Sequence, residues 1–375
     1  MTAVIHLSLL MYLFAAGPQL DPQDYIRIKQ YSPRVLIAYW PGIDRRCNLA
    51  AIQSEKGLVI IDTEASPRVM APMKERIEKT FGRSDWAYVI NTHAHDNHCS
   101  GNSLFGDAVI VGHRNLPEDM QWLIDRQTDP ERKRWVEHIE SILRDLQAAQ
   151  PRFARNPAHA RLIRSDIIFY ELFVQDLKEG YEVVKPTLMY DDRLKLDLGD
   201  LTLELIFFGR GHSLSDTLVY IPQERVLVTG AIAYQRNQLP EIGEESQMED
   251  VQRFITVLDG LLADDVKIDH VIPSHSAPLR RSDLPPIRDY YQKMLVEVKA
   301  AREQGLTLEQ TLAKLTVRKN FPAFRDPPAG YWGYRMQERN VRNLWRILSE
   351  QYLKTQEQET KEKAKVESKK GTRLK

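Results

Sequence analysis

Asn91-Thr92-His93-Ala94-His95-Asp96-Asn97-His98 follows directly on the apolar run Ala87–Ile90 and decides how the rest of the chain is read. It holds three histidines within six residues, at the point where a strand gives way to a loop. Such a point can aim several side chains at one place. Neutral imidazole is a good zinc ligand, and a catalytic zinc takes three protein ligands and keeps a position for water. His93 and His95 are two residues apart, so an extended backbone turns both to one side. A lone histidine would be read as a core or surface residue; this spacing reads as a metal cluster.

Two more histidines have the same setting. His212 stands in Gly209-Arg210-Gly211-His212-Ser213 after the run Leu201–Phe208, and His275 in Pro273-Ser274-His275 after His270–Ile272. The other five lack it. His6 lies in the first apolar run and His270 within a strand. His138 and His159 lie in a charged helical stretch, and His113 is assigned to the wall of the site or a hydrogen-bond network.

Around these segments the chain alternates between two periods. Val35–Trp40 reads as a strand, and Asn48–Gln53 and Leu58–Ile61 as a hairpin around Ser54-Glu55-Lys56-Gly57. Ser66-Pro67 opens a helix with Met70, Met73 and Ile77 at helical spacing, and Gly82 ends it. Ala108–Val111 is another strand. From Leu116 to about Glu179 glycine is almost absent and apolar residues recur at helical spacing, which predicts a helical insertion; Trp135, Phe153, Phe169, Tyr170 and Phe173 either cap a site or pack that insertion. Strands resume at Leu188–Tyr190, Leu194–Leu198, Leu201–Phe208, Leu218–Ile221 and Val226–Thr229. A helix over Met248–Leu262 precedes the strand His270–Ile272, and helices follow from Leu284. Strand block, helix, strand block: the order predicts layered α+β architecture.

At this point the chain resembles the metallo-β-lactamase superfamily. The hallmark T-H-x-H-x-D-H is matched by Thr92-His93-Ala94-His95-Asp96-Asn97-His98, the G-H-[ST] turn by Gly211-His212-Ser213, the T-G-D segment by Thr229-Gly230-Ala231 and the last ligand by His275. Ile60-Ile61-Asp62-Thr63 matches the family's strand ending in Asp-Thr. The resemblance implies a four-layer αββα sandwich over about residues 30–280, with the helical insertion at about 116–179. A helical C-terminal extension follows over 281–353 and a charged tail over 354–375, unfolded or a solvated, frayed helix end. It implies metal ligands at His93, His95, His98, His212 and His275, the first metal on His93, His95 and His212 and the second at the positions of Asn97, His98 and His275.

Two departures shape the expected chemistry. Asn97 replaces an aspartate, and Ala231 replaces the bridging carboxylate. Two cations about 4 Å apart repel strongly where solvent is scarce and need anionic ligands. One tight zinc is therefore expected, with a second ion weak or absent. Zinc brings the pKa of its water toward neutrality, which predicts hydrolysis of a small ester, lactone, amide or β-lactam-like substrate. Asn97 is the catalytic candidate: its amide orients water but takes no proton at neutral pH. Asp62, Glu64, Asp96 and Asp216 are candidates for a substitute base or for holding the metal-bound histidines. The competing reading is a degenerate member that binds metal or ligand without turnover.

Composition narrows the partners. Lys+Arg and Asp+Glu are both 52 in 375 residues, so no global field favours nucleic acid, and a small-molecule substrate is expected. Val4–Ala16 is too short to span a bilayer, which takes roughly 20 apolar residues. It suits a signal peptide over residues 1–20, with export if it is cleaved and a cytoplasmic protein otherwise. The C-terminal helices, with Trp332, Trp345 and Leu353 between Tyr331 and Leu353, either dock on the domain or form a homo-oligomer. Cys47 and Cys99 are too few for a disulfide framework and read as buried free thiols; Cys99, beside a ligand position, is assigned to packing.

Overall fold

The computed structural model describes residues 21–42, 47–234, 238–325 and 335–372. The first apolar run, Tyr331 and Trp332 lie outside them. Seven strands form the first sheet, in spatial order: β1 (Arg27–Gln30), β2 (Val35–Tyr39), β3 (Leu49–Ser54), β4 (Gly57–Ile61), β5 (Trp86–Ile90), β6 (Val109–His113) and β7 (Leu188–Tyr190). Pairing is antiparallel from β1 to β4 and parallel from β4 to β7. The parallel pairs need crossovers. These are α1 (Pro67–Phe81), the short α2 (Asp96–Cys99), and the insertion α3 (Leu116–Asp119), α4 (Gln121–Arg126), α5 (Glu131–Ala149) and α6 (Pro157–Glu179).

The second sheet has five strands in the order β12-β11-β10-β9-β8. They are β8 (Arg193–Asp197), β9 (Thr202–Gly209), β10 (Asp216–Ile221), β11 (Val226–Gly230) and β12 (His270–Pro273), with α7 (Met248–Leu261) between the last two. After β12 come α8 (Leu284–Glu303), α9 (Leu308–Lys314), α10 (Val317–Asn320) and α11 (Met336–Thr372). This is the αββα sandwich that the sequence implied. Among the described residues no helix is long and apolar enough to cross a membrane.

Strand alternation builds three cores. Val35 and Ile37 of β2, Val59 and Ile61 of β4, Val219 and Ile221 of β10 and Val226 and Val228 of β11 meet between the sheets. Their neighbours Leu36, Ala38 and Ile60 face α1 and the insertion, while Leu218, Tyr220 and Leu227 face α7 and the C-terminal helices. Every residue of β4, β10 and β11 is buried, as expected of strands covered on both faces. Phe208 is fully buried and stacks on Phe254 at 4.8 Å between ring centroids. Phe208→Ala should cost about 3–5 kcal/mol, read by urea denaturation in EDTA; a loss under about 1 kcal/mol would mean that this layer is loosely packed.

Three segments take a form that the sequence pattern left open. β1 carries Arg27, Lys29 and Gln30 at a sheet edge, so it lacks the apolar signal of a strand. Of the two roles expected for the aromatic residues of the insertion, packing holds: Trp135, Phe169, Tyr170 and Phe173 are buried against α1 and the first sheet, and Phe153 stacks on His159. The charged tail, expected to be unfolded or a frayed helix end, continues α11 as helix to Thr372. No Pro or Gly interrupts Met336–Lys370, and Glu357 precedes Lys361 by four residues, a pairing that supports a helix without a core.

Candidate metal centre

The parallel strands β4 and β5 end side by side, and their loops carry Asp62 and the histidine segment. Strand β10 is joined to this edge by a hydrogen bond from Thr217 N to Thr92 O at 2.9 Å. Gly230 closes the approach from β11 at φ 55°; a Cβ there would lie 3.0 Å from the Thr92 Cβ, which accounts for glycine after Thr229.

His93, His95 and His212 are brought together, each with a ring nitrogen within 4.8 Å of the others'. His212 Nε2 lies 2.9 Å from His95 Nδ1. His93 Nε2 is buried and has no hydrogen-bond partner. His93 Nδ1 is 3.0 Å from Thr92 Oγ1, whose hydroxyl donates to Asp62 Oδ2 at 2.8 Å. The relay puts the His93 proton on Nδ1 and leaves the Nε2 lone pair facing the cluster. His212 Nδ1 donates to Glu241 Oε2 at 2.8 Å, with the same consequence for its Nε2. Burial, then neighbouring rings, holds His93 well below the usual imidazole range and His95 down to about 3. Burial opposes a charge on His212 too, but Glu241, with Asp216 and Asp119, carries it above the usual value. A buried, partnerless His93 nitrogen beside two further imidazoles, with the His93 and His212 protons turned outward, fits a metal ion, since ligands must present a lone pair.

The other predicted residues form an adjoining group. His98 Nδ1 donates to Asp62 Oδ2 at 2.8 Å, and His98 Nε2 lies 3.2 Å from His275 Nε2. Asn97 Nδ2 is also 3.2 Å from His275 Nε2. Asn48 fixes the His275 loop by donating to Pro273 O and Ser276 O, both at 2.8 Å. Ala231 is buried and brings no donor atom. This group therefore offers only neutral ligands. Cys47 Sγ stands 3.3 Å from His98 Nδ1, and Cys47, Asp62 and His98 also bring donor atoms within 4.8 Å. Here the Nδ1 lone pair is spent, because that nitrogen carries the proton given to Asp62. Burial, then Asp62 and Glu64, also pushes the Cys47 thiol up. The trio is a hydrogen-bond cluster.

The candidate bases sort by what they hold. Asp62 accepts from Thr92 N at 2.7 Å, from Thr92 Oγ1 and from His98, and burial raises its carboxyl to about 7 against the pull of the two Thr92 bonds. Asp216 accepts from the backbone N–H groups of Gly211, His212 and Ser213 and folds the His212 loop. Glu64 Oε2 accepts from Ala65 N, and Asp96 Oδ1 from Asn97 N. His113 stacks on Phe207 at 3.6 Å and bonds Asp191 O, away from the cluster. Cys99 Sγ donates to His95 O at 3.2 Å, a packing role; both thiols are free and buried.

Sequence reasoning missed Glu241, Cys47 and Trp122. Trp122 of the insertion lies edge-on to His95 at 6.2 Å. Nothing in the local sequence marks these three, since their proximity arises from packing of distant segments. A cleft of about 380 Å³ opens on His95 and His212, walled by Asp119, Arg210, Glu244 and Arg339.

Comparison with known proteins identifies the family. The sequence profile described as the metallo-beta-lactamase superfamily matches residues 42–275. Among solved structures, the chain is similar to the stereoselective inverting sec-alkylsulfatase Pisa1 from Pseudomonas sp., with TM-score 0.56 and 16% identity, over 85% of this chain and 50% of that one. A double mutant of the same sec-alkyl sulfatase gives TM-score 0.55 and 18% identity at the same coverage of both chains. A metallo-beta-lactamase from Pontibacter korlensis gives 0.45 and 15%, over 71% of this chain and 99% of that one. The chain thus spans half the length of the alkylsulfatase it resembles. A search of curated protein sequences finds no match. With a family profile covering more than half its length, on an αββα sandwich, the chain belongs to the metallo-β-lactamase superfamily.

Proposed function

We propose that this protein is a zinc-dependent hydrolase of a small ester, lactone, amide or β-lactam-like substrate, holding one tight ion on His93 Nε2, His95 Nδ1 and His212 Nε2. The observation that carries this reading is the unpartnered, buried Nε2 of His93 beside two imidazole nitrogens within 4.8 Å. Zinc held there supplies Lewis acidity and brings the pKa of water down toward 7. The residues around it do the rest. Thr92 and Glu241 keep the ring protons of His93 and His212 turned away. Trp122 of the insertion stands edge-on beside His95. The cleft of about 380 Å³ is of a size for a small molecule. Asn97 orients water or substrate by its amide and takes no proton.

The adjoining His98, His275 and Asn97 are neutral and Ala231 contributes nothing, so a second ion is held weakly. Elemental analysis of purified, zinc-saturated and desalted protein should give one zinc per chain; two stoichiometric zincs would overturn the single-ion reading. The same sample should hydrolyse at least one member of a panel of aryl esters, lactones, β-lactams and a secondary alkyl sulfate. One bound zinc with no turnover on any of them would favour the non-catalytic, metal-binding reading.

A further inference from the structure

The superfamily match ends at His275, yet the chain runs on into α8–α11, and α11 returns to the cluster. Asn340, fully buried in the first turns of α11, accepts from Ile242 N at 2.9 Å through Oδ1 and donates through Nδ2 to Pro240 O and the Tyr290 hydroxyl, both at 2.7 Å. Asn343 donates to Ile242 O at 2.8 Å. Tyr291 of α8 donates to Glu241 O at 3.2 Å. The backbone on both sides of Glu241, and its own carbonyl, is thereby tied to the C-terminal helices.

A polar residue at a buried helix position is costly unless it is bonded. Docking of α11 needs no such residue, because Val341, Leu344 and Ile347 supply the apolar contact. What Asn340 and Asn343 bind is the segment that carries Glu241. A glutamate side chain is long, and its carboxylate stays on a ring nitrogen only if its own backbone is fixed. A displacement of about 1 Å turns a 2.8 Å hydrogen bond into no bond.

We propose that α11 is part of the metal centre: Asn340 and Asn343 are positioning residues that hold segment 240–242, so that Glu241 keeps the His212 proton on Nδ1 and the Nε2 lone pair on the ion. This rests on the reading of His93, His95 and His212 as zinc ligands. The C-terminal extension is then a requirement for tight metal binding in this chain, although no ligand lies in it.

The test uses full-length protein with zinc alone as probe. Affinity is read by competition with a chromophoric chelator, folding by thermal melting in EDTA, and ligation by the visible spectrum of cobalt-loaded protein. Glu241→Ala should weaken zinc roughly 10–100-fold and change the cobalt spectrum. Glu241→Gln should recover most of the affinity, because the amide oxygen still accepts from Nδ1. Asn343→Ala, the milder of the two helix variants, should fold and weaken zinc about 10-fold; Asn340→Ala should weaken it at least as much. Because the asparagine acts through the glutamate, Asn343→Ala combined with Glu241→Ala should bind zinc no worse than Glu241→Ala alone. A folded Asn343→Ala with native zinc affinity, or strictly additive losses in the double variant, would overturn the proposal while leaving the zinc site intact. Native protein that binds no zinc would remove the functional reading and this inference together.

Discussion

His95→Ala and His212→Ala should each abolish stable zinc binding, leaving protein that loses its ion on desalting and with it the proposed hydrolytic activity. Loss of a residue that only supports a ligand costs about 10–100-fold in metal affinity or activity; loss of one of three ligands should exceed that. Folding should survive the change. Both residues are half-buried, and truncation removes one ring from a close-set cluster and leaves the surrounding core untouched. His275→Ala is the contrast. It belongs to the neutral group with His98 and Asn97, so its zinc stoichiometry should stay at one and its affinity within about 10-fold of native. The measurement is chelator competition on all three variants with melting curves in EDTA beside them. Equal losses at 95, 212 and 275 would show that the ion is shared between the two groups and that the single-site assignment is wrong.

Much of this architecture was legible in the sequence because period and burial agree. Val219 and Ile221 alternate with Leu218 and Tyr220 along β10, so two cores can be read from one strand. The insertion was bounded by loss of glycine and the switch to helical spacing, and the helices α3 to α6 run from Leu116 to Glu179. What failed were segments whose structure is set from outside. β1 is polar and exists because β2 offers it an open edge. The aromatic side chains of the insertion fitted either a cap or a core, and the apolar face of α1 and the first sheet decides for the core.

The site divides in the same way. Histidines after strands are visible because ligand chemistry restricts residue type and position together. Glu241 is not, since a glutamate in a loop after Leu239-Pro240 looks like any solvated glutamate until Asn340 and Tyr291, about 50 to 100 residues further on, fix its backbone. Among the four carboxylates singled out from sequence, the distinction between Asp62, which orients two rings, and Asp216, which folds a loop, is a matter of which N–H groups point at them.

Asp62→Asn is the second substitution expected to have a large effect, and it changes almost no volume. The backbone at 62 sits at φ 67°, a region that asparagine and aspartate both tolerate, so the chain path should hold. The charge pattern does not. Asp62 receives three donors: Thr92 N on Oδ1, and Thr92 Oγ1 and His98 Nδ1 on Oδ2. An amide keeping its oxygen on Thr92 N turns two N–H donors toward the other two. The Thr92 hydroxyl must then accept from the amide and give its own proton to His93 Nδ1, which drives the His93 proton to Nε2, into the cluster. His98 is reversed in the same way, with its proton facing His275. One isosteric change thus inverts the tautomers of two rings. Zinc affinity should fall by at least 10–100-fold, with melting in EDTA shifted by far less than for Asp62→Ala, where three buried donors each lose an acceptor at about 1–3 kcal/mol apiece. If the asparagine variant binds zinc as tightly as native protein, Asp62 does not set the ring tautomers, and the relay from Asp62 through Thr92 to His93 has no part in preparing the site.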